Sequence, residues 1–212
     1  MFITFEGGEG SGKSSVINEI EKLLINDGID NFIRTREPGG IDIAESIRGI
    51  LLNKKNKNMD KITEALLFAA SRRQHLVEKI KPALDQGKIV MCDRFVDSSI
   101  VYQGMAREIG AKKVLDINKL AIEDYFPDIT FLLDLDPNIG QERINKNSQR
   151  EVNRLDLEKI EFHEKIRKGY LKLAKSNPDR FIVIDANNDI KSISEKIYKI
   201  IKEKIEISEK RK

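Results

Sequence analysis

"FITFEGGEGSGKSS" (residues 2–15) begins as an apolar run and then breaks into a loop that contains four glycines. Glycine permits positive φ angles and leaves no side chain in the way, so successive backbone N–H groups can turn towards a bound anion. A helical pattern of apolar residues starts directly after Lys13. A helix N-terminus adds free N–H groups and the positive end of its dipole. The stretch therefore predicts a phosphate-binding loop between a buried strand and a helix.

The spacing within this loop matches a known motif. Gly7, Gly12, Lys13 and Ser14 fit G-x-x-x-x-G-K-[ST] without a mismatch. In that motif the lysine reaches the β- and γ-phosphates of a nucleotide, and the hydroxyl group ligates Mg²⁺. A plain glycine-rich turn is the alternative interpretation, and the strand–loop–helix context speaks against it.

Five apolar, strand-like runs alternate with helical patterns along the chain. The strand-like runs are 2–6, 31–36, 88–93, 129–135 and 180–186. The helical patterns cover about 13–27, 41–52, 60–86, 97–109, 112–125, 137–146, 157–176 and 189–207. Pro82 falls inside the third of these and is expected to perturb or kink it. This alternation predicts an α/β fold, a three-layer sandwich with a five-stranded parallel sheet flanked by helices, as one domain over residues 1–212.

The composition narrows the class of protein. Hydrophobic residues make up 40% of the 212 residues and charged residues 34%, while the net charge is only +3, too balanced to argue for nucleic acid. No signal segment precedes the first strand, and no apolar stretch approaches the roughly 18 residues of a membrane span. Cys92, the only cysteine, is interpreted as a core residue, and His75 and His163 as surface or packing residues. We expect a cytoplasmic protein without a membrane or nucleic-acid partner.

One polar segment interrupts the pattern. "NKNSQREVNRLD" (145–156) is nearly free of aliphatic side chains and carries Lys146, Arg150 and Arg154. It is either a solvated surface loop or a mobile lid that brings arginines onto phosphates. We favour the lid.

A phosphate-binding loop alone does not name a reaction, and three classes compete. A GTPase switch should carry N-K-x-D, but neither Asn118-Lys119 nor Asn145-Lys146 is followed by Asp at that spacing. A nucleic-acid motor would need a longer and more basic chain. A small kinase needs a second pocket with arginines for an anionic acceptor. Side chains suited to such a pocket lie at the ends of two predicted strands and on the helical patterns that follow them: Arg36, Glu37, Arg48, Phe68, Arg72, Asp93, Arg94, Ser99, Tyr102 and Gln103. They suggest a nucleoside monophosphate as acceptor.

Six motifs occur in order: "FEGGEGSGKSS" (5–15), "TREPGG" (35–40), "LLFAASRRQH" (66–75), "DRFVDSSIVYQG" (93–104), "FLLDLDP" (131–137) and "NRLD" (153–156). Together they resemble the thymidylate kinase (dTMP kinase) family, of the bacterial kind. The resemblance covers nearly the whole chain. It implies a nucleoside monophosphate kinase-like fold and the transfer of a phosphoryl group from ATP to dTMP with Mg²⁺, in dTTP biosynthesis. It also implies a homodimer.

The resemblance assigns a role to each matching residue. The ATP phosphates would be held by Gly7, Gly8, Glu9, Gly10, Ser11, Gly12, Lys13, Ser14 and Ser15. Ser14 would ligate Mg²⁺ directly and Asp93 through water. The catalytic groups would be Lys13, Asp93, Arg94 and Arg150. The dTMP would contact Glu9, Arg36, Glu37, Arg48, Phe68, Arg72, Arg94, Ser99, Tyr102 and Gln103.

Each assignment has a plainer alternative. Phe68 can be a core residue, and Arg36 and Arg48 can form surface ion pairs. Asp93 can cap the next segment. Gln103 can simply cap or pack. The activity also has alternatives: another kinase of this fold that acts on dUMP or dCMP, or a non-catalytic ATP-binding switch.

Two positions depart from the pattern of some family members. Gly10 stands where some, notably eukaryotic, members carry an arginine, and Phe95 stands where a tyrosine often follows "DR". Since transition-state charge must be balanced from some source, we expect a lid arginine to replace the missing one. Arg150 is the first candidate and Arg154 the second. An arginine introduced at Gly10 is expected to restore part of the rate that Arg150→Ala loses, against the distortion that its larger side chain causes in the loop.

Overall fold

The computed structural model describes residues 1–146 and 153–209. Its centre is a sheet of five parallel strands: β1 (Phe2–Glu6), β2 (Phe32–Arg36), β3 (Ile89–Asp93), β4 (Ile129–Asp134) and β5 (Phe181–Asp185). The strand order is β2-β3-β1-β4-β5, so β1 lies in the middle and the chain crosses over between strands. The predicted strands and the five-stranded parallel α/β fold are confirmed.

Helices cover both faces of the sheet. They are α1 (Lys13–Asn26), α2 (Asp42–Leu52), α3 (Lys61–His75), α4 (Lys81–Asp85), α5 (Val96–Ser99), α6 (Ala111–Ile122), α7 (Pro137–Lys146), α8 (Ile160–Ser176) and α9 (Ile190–Glu209). Two π-helical segments, Leu76–Ile80 and Ile100–Ala106, and a 3₁₀ turn, Leu155–Leu157, complete the described helical structure. None of the described helices combines the length and the apolar character needed to cross a membrane.

The sheet is buried because its strands carry apolar residues on both faces. One face packs against α1 and α9, where Val16, Ile20 and Leu24 meet Ile193 and Ile197. Each of the three α1 side chains is fully buried, which stabilises the fold by roughly 1.5–3 kcal/mol per side chain. A second cluster covers the opposite face and contains Cys92, as predicted from its apolar surroundings.

The helix predicted over 60–86 is not one regular α-helix. It runs as α3, a π-helical segment at Leu76–Ile80 and the short α4. Pro82 is the second residue of α4 and lacks the N–H that a regular ladder would use, so the irregular turn lies just before it. A π-helical segment also replaces most of the helix predicted over 97–109. In a π-helical segment each backbone hydrogen bond spans five residues instead of four. Tyr102 and Gln103 therefore point in other directions than they would in a regular α-helix.

The parallel strands bring polar side chains to one edge of the sheet. In the register of the sheet, Phe5 lies beside Asp93 and Arg36 lies on the other side of Asp93. Three strands therefore end side by side, where ligands of open α/β sheets bind. The loop after β1 and the residues that follow β2 and β3 share this edge.

Candidate active site

The loop after β1 has the positive φ angles that its glycines predict. Gly7, Gly10 and Gly12 have φ angles of 143°, 72° and 87°, which favour glycine. A Cβ atom at Gly7 would lie 2.5 Å from the carbonyl oxygen of Leu133. The loop is therefore held against the end of β4, and α1 begins at Lys13.

The geometry speaks against the expected rescue of Arg150→Ala by an arginine at Gly10. A Cβ atom there would lie 2.3 Å from the carbonyl oxygen of Gly140 and 2.8 Å from its Cα, both in α7. Backbone atoms cannot move aside as a flexible side chain does. The positive φ adds further strain for any other residue. Gly10 is required by the close approach of α7.

Lys13 lies inside the loop. Its ammonium group donates hydrogen bonds to the carbonyl oxygens of Gly7 (3.1 Å) and Gly8 (3.0 Å) and to Ser11 Oγ (3.2 Å). Burial, with repulsion from Arg94, lowers the pKa of Lys13 from 10.5 to about 8. A cation held this way is already positioned for an anion and gains Coulombic stabilisation when one binds.

Ser14 and Asp93 meet across the sheet edge. Ser14 Oγ donates to Asp93 Oδ2 at 2.9 Å. One hydroxyl and one carboxylate are oxygen ligands of the kind that Mg²⁺ binds together with nucleotide phosphates and water. The described residues form no group of three or more His, Cys, Asp or Glu side chains able to hold a metal by themselves. The pair therefore fits a metal that arrives with a nucleotide.

Arg94 occupies the centre of the site. Its backbone has a φ of 69°, unusual for a residue with a side chain. The main-chain N–H of Arg94 donates to the carbonyl of Phe5, and that of Phe95 donates to Glu6 Oε1 at 2.8 Å. These two bonds hold the turn after β3 in its strained form. Phe95 itself is buried in the core, and burial with the nearby Asp97 carboxylate raises the pKa of Glu6 to about 6.

Glu9 connects Arg94 to Tyr102 and His163. Its carboxylate accepts from Arg94 Nη2 (3.3 Å) and from the Tyr102 hydroxyl (2.6 Å), and it lies 3.2 Å from His163 Nδ1. Burial raises the pKa of Glu9, but the contacts with His163, Arg94, Tyr102 and Lys13 outweigh it, and the pKa falls to about 2. The Arg94 guanidinium also stacks 5.0 Å from the Tyr102 ring centroid. Glu9 stays ionised and fixes both side chains.

Arg36 and Arg48 converge on one point although they come from β2 and α2. Both donate to the carbonyl oxygen of Pro38, at 3.0 Å and 2.8 Å. Arg36 also forms an ion pair with Glu45 at 2.8 Å and is 46% exposed. The surface ion pair considered for Arg36 therefore exists. It lies at the rim of the same cavity as Arg48.

Glu37 and Arg72 form a buried ion pair. Arg72 Nε donates to Glu37 Oε2 at 2.7 Å, and both side chains are at most 2% exposed. Arg72 also donates to Ser99 Oγ at 3.0 Å, to the carbonyl of Phe95 at 3.0 Å and to Asn118 Oδ1. Among the described residues, Glu37 and Ser99 line the cavity and Arg72 does not. Arg72 therefore stands behind Ser99 and Glu37.

A cavity of about 780 Å³ connects these groups. The predicted residues that line it, from loop to far wall, are Glu9, Gly10, Ser11, Gly12, Lys13, Ser14, Ser15, Arg36, Glu37, Arg48, Phe68, Asp93, Arg94, Ser99, Tyr102 and Gln103. Phe68 is both a core residue and a wall residue, at 8% exposure. Gln103 donates to Glu64 at 2.9 Å, so the packing role considered for it also exists.

Of the two lid candidates, Arg154 lies within the described residues and Arg150 does not. The whole stretch 147–152, which is half of the predicted lid at 145–156, lies outside the described residues with Arg150. Arg154 is described: it is 7% exposed and donates to Glu64 Oε2 (2.6 Å) and to the carbonyl of Leu51 (2.9 Å). A side chain so engaged fastens the end of this segment to α2 and α3.

Several wall residues were missed from the sequence. Ser98, Arg143, Ile144, Asn153 and Asn188 also line the cavity. Arg143 is the most informative, because its Nη2 donates to the carbonyl of Ala186 (3.1 Å) at the end of β5. The sequence carries no signal for Arg143, because its place on the cavity wall depends on the packing of α7 against the loop at Gly10. Of the two interpretations given for His163, packing is the one that the structure bears out: the side chain is 5% exposed and its Nδ1 lies 3.2 Å from Glu9 Oε2.

Comparison with known proteins points to one family. Residues 5–197 match the family model described as Thymidylate kinase. The chain is 53% identical over 201 residues to a thymidylate kinase from Clostridium novyi (strain NT), covering 95% of this chain and 98% of that protein. It is 55% identical over 192 residues to a thymidylate kinase from Geobacillus sp. (strain WCH70), covering 91% of each.

A solved structure agrees with these relatives. The crystal structure of thymidylate kinase from Ehrlichia chaffeensis superposes with a TM-score of 0.75 at 38% identity, and the match covers 95% of this chain and 98% of that chain. Family model, relatives and fold all extend over nearly the whole length. The chain therefore belongs to the thymidylate kinase family.

Proposed function

We propose that this protein transfers the γ-phosphoryl group of ATP to the 5′-phosphate of dTMP, giving dTDP and ADP. The observation that carries the proposal is the single cavity that joins the phosphate-binding loop to a second, arginine-rich wall. The donor would lie on the loop and the acceptor against Arg36, Arg48 and Phe68. Family membership supports the same activity.

The donor end binds by charge and by backbone donors. The amides from Gly8 to Ser15 and the ammonium of Lys13 would hold the ATP phosphates. Lys13 would exchange its bonds to Gly7, Gly8 and Ser11 for phosphate oxygens. Ser14 and Asp93 would hold Mg²⁺, Asp93 through water, and the ion neutralises phosphate charge when bound.

The acceptor phosphate would sit between three arginines. Arg36 and Arg48 already point at a common oxygen, the carbonyl of Pro38, so an anion there would meet both guanidinium groups. Arg94 lies between this point and the loop and would bridge the two phosphate chains. No covalent intermediate is needed, because positioning and charge neutralisation carry such reactions.

The base and the sugar would fill the inner wall. Phe68 would stack on thymine, and Ser99 and Gln103 would contact its polar edge. Tyr102, held by Glu9, would press on the sugar and disfavour a ribose 2′-hydroxyl, with Glu37 on the sugar side. Arg72 would act through Ser99 and Glu37, which it holds in place.

The segment 145–156 would be a lid on one domain, with Arg150 supplying the donor-side cation. The engagement of Arg154 with Glu64 and Leu51 supports Arg150 over Arg154 for that role. Arg143, on the cavity wall beside Ala186, would lie near the adenine. We also propose a cytoplasmic homodimer; exposed Ile43, Ile50, Ile62 and Leu66 on α2 and α3 support pairing through these helices.

The first prediction concerns the acceptor. ADP release from ATP and Mg²⁺ should be fast with dTMP and at least about tenfold lower in kcat/KM with dCMP, because a site built for one hydrogen-bond pattern rejects another. UMP should be poor because of its ribose hydroxyl. The measurement is a coupled ADP assay over a panel of monophosphates. Equal use of dCMP would favour the alternative kinase, and no acceptor-dependent release would favour a binding switch.

The second prediction concerns the pH dependence of ATP binding. Lys13, with a pKa of about 8 in the free protein, is charged below that pH and neutral above it. Bound phosphates favour the charged form, so the pKa rises on binding and the affinity falls as the pH increases above about 8. Titration calorimetry from about pH 7.5 to 9.5 should show this loss together with proton uptake. In Lys13→Ala the slope should disappear; an identical slope would remove Lys13 from the phosphate site.

The third prediction concerns the lid. Arg150→Ala should lower kcat by about 10³-fold or more while KM for dTMP changes little, the pattern of a contact made in the transition state. The matched control is Arg154→Met, which loses a buried ion pair. It should lower the melting temperature and change kcat little. Steady-state kinetics and thermal unfolding distinguish them. Wild-type kcat in Arg150→Ala, with loss in Arg154→Ala or Arg143→Ala, would place the donor-side cation elsewhere.

A further inference from the structure

Glu64 is a buried carboxylate on α3, the helix whose Phe68 lines the cavity. The reaction described above gives Glu64 no role. It is 1% exposed and lies one helical turn before Phe68, on the same face. Its Oε1 accepts from Gln103 Nε2 at 2.9 Å and from Arg107 Nε at 3.4 Å. Its Oε2 accepts from Arg154 Nη2 at 2.6 Å. One side chain thus accepts from three donors, two of them from the segment 103–107 and one from Arg154, far along the chain.

The chemistry of these contacts decides how Gln103 is turned. A carboxylate between two guanidinium groups accepts hydrogen bonds and donates none. The amide of Gln103 must therefore face Glu64 with its NH₂ group, because the reverse orientation would place a carbonyl oxygen against a carboxylate. Gln103 also lines the cavity, so its carbonyl oxygen becomes its acceptor for a ligand.

This orientation distinguishes pyrimidine bases. Thymine carries a donor at N3, which a carbonyl oxygen can accept. Cytosine has an acceptor at N3, and two acceptors facing each other leave both without a partner. Leaving buried polar groups unpaired is the strongest means that a site has to reject a related substrate.

We propose that Glu64 is a specificity-determining positioning residue, which fixes the Gln103 amide so that the site accepts a base with N3–H and rejects cytosine. The proposal rests on the dTMP kinase activity proposed above and adds a residue that touches no substrate. Glu64 affects the choice of base only through Gln103.

The surroundings of Glu64 keep it from turning. Arg154 is tied at the same time to the carbonyl of Leu51 at 2.9 Å. Arg107 is tied to Glu158 at 2.6 Å and its guanidinium lies 4.5 Å from the Phe162 ring centroid. Both cations are thus fixed independently of Glu64. The carboxylate is therefore held in one orientation, and it holds the NH₂ group of Gln103 towards itself.

Glu64→Gln is the direct test. The new amide can donate as well as accept, so it permits both orientations of Gln103. The ratio of kcat/KM for dTMP over dCMP should fall about tenfold or more, through a higher KM for dTMP and a lower KM for dCMP. KM for ATP should stay at its wild-type value. Glu158→Gln is the matched control: it removes the same charge from Arg107 without touching Gln103, and the ratio should not change.

A second pair of variants covers the loss of a buried charge. Glu64→Gln leaves Arg154 without its carboxylate, which costs stability. Glu64→Gln combined with Arg154→Met removes both charges, and its acceptor ratio should fall as in the single variant, while Arg154→Met alone should keep the wild-type ratio. Gln103→Leu should lower the ratio too, and adding Glu64→Gln to it should have no further effect on the ratio, since one acts through the other.

The results separate the possible failures. An unchanged acceptor ratio in a folded Glu64→Gln protein, or in the double variant, would make Glu64 a structural residue and overturn the proposal. A fall in the ratio with Glu158→Gln of the same size would also overturn it, because charge rather than orientation would be responsible. Wild-type protein that phosphorylates dCMP as well as dTMP, or neither, would instead contradict the proposed function.

Discussion

The contact between Arg94 and Glu9 is the interaction on which the rest of the site depends. Two phosphorylated ligands need several cations in one cleft, and cations held close together repel each other. The lowered pKa of Lys13, about 8, reflects its burial and then the nearby Arg94. Glu9 offsets this by remaining ionised, with a pKa of about 2, and it also holds Tyr102 and Arg94 in place. The charges are therefore arranged before any ligand binds, as electrostatic catalysis requires.

The fold supplies the means to hold this arrangement. Strands β1, β2 and β3 end at the same level, so that the loop, Arg36 and Asp93 share one edge. Glu6, the last residue of β1, accepts from the Phe95 amide and from the hydroxyls of Ser98 and Tyr170. These bonds fix the strained turn at Arg94 from below. The strain and the buried acid are tolerated because each serves the position of one guanidinium group.

Much of this was predictable from the sequence, for physical reasons. The phosphate-binding loop depends on local spacing, and the parallel sheet follows from alternating strands and helices, so both were found. Arg36, Arg48 and Arg94 follow strands or lie one helix later, which limits where they can be. Their convergence on the carbonyl of Pro38 and on Glu9 could not be read, because it depends on the tertiary packing of separate elements.

The misses share a cause. Whether Gly10 could be an arginine depends on α7, whose backbone passes 2.3 Å from the position of its missing Cβ. The burial of Arg72 could not be read from the sequence either, because its partners Glu37, Asn118 and Phe95 come from distant segments; its contact with dTMP stays a prediction. Glu64 lies in the first turn of α3, where an acid ordinarily stabilises the helix N-terminus, so its sequence position alone gives no hint of another role. Only its partners, residues 103, 107 and 154, reveal a position inside the protein.

We propose that phosphoryl transfer relies on cations held in place by the protein, first among them Lys13. The most direct measurement is the rate of γ-phosphoryl transfer to dTMP in Lys13→Ala at saturating ATP and dTMP, followed by rapid quenching, beside its melting temperature. The claim predicts a rate lower by about 10²–10³-fold in a protein that melts like the wild type, because one preorganised donor is lost. A wild-type rate in the folded variant would contradict it.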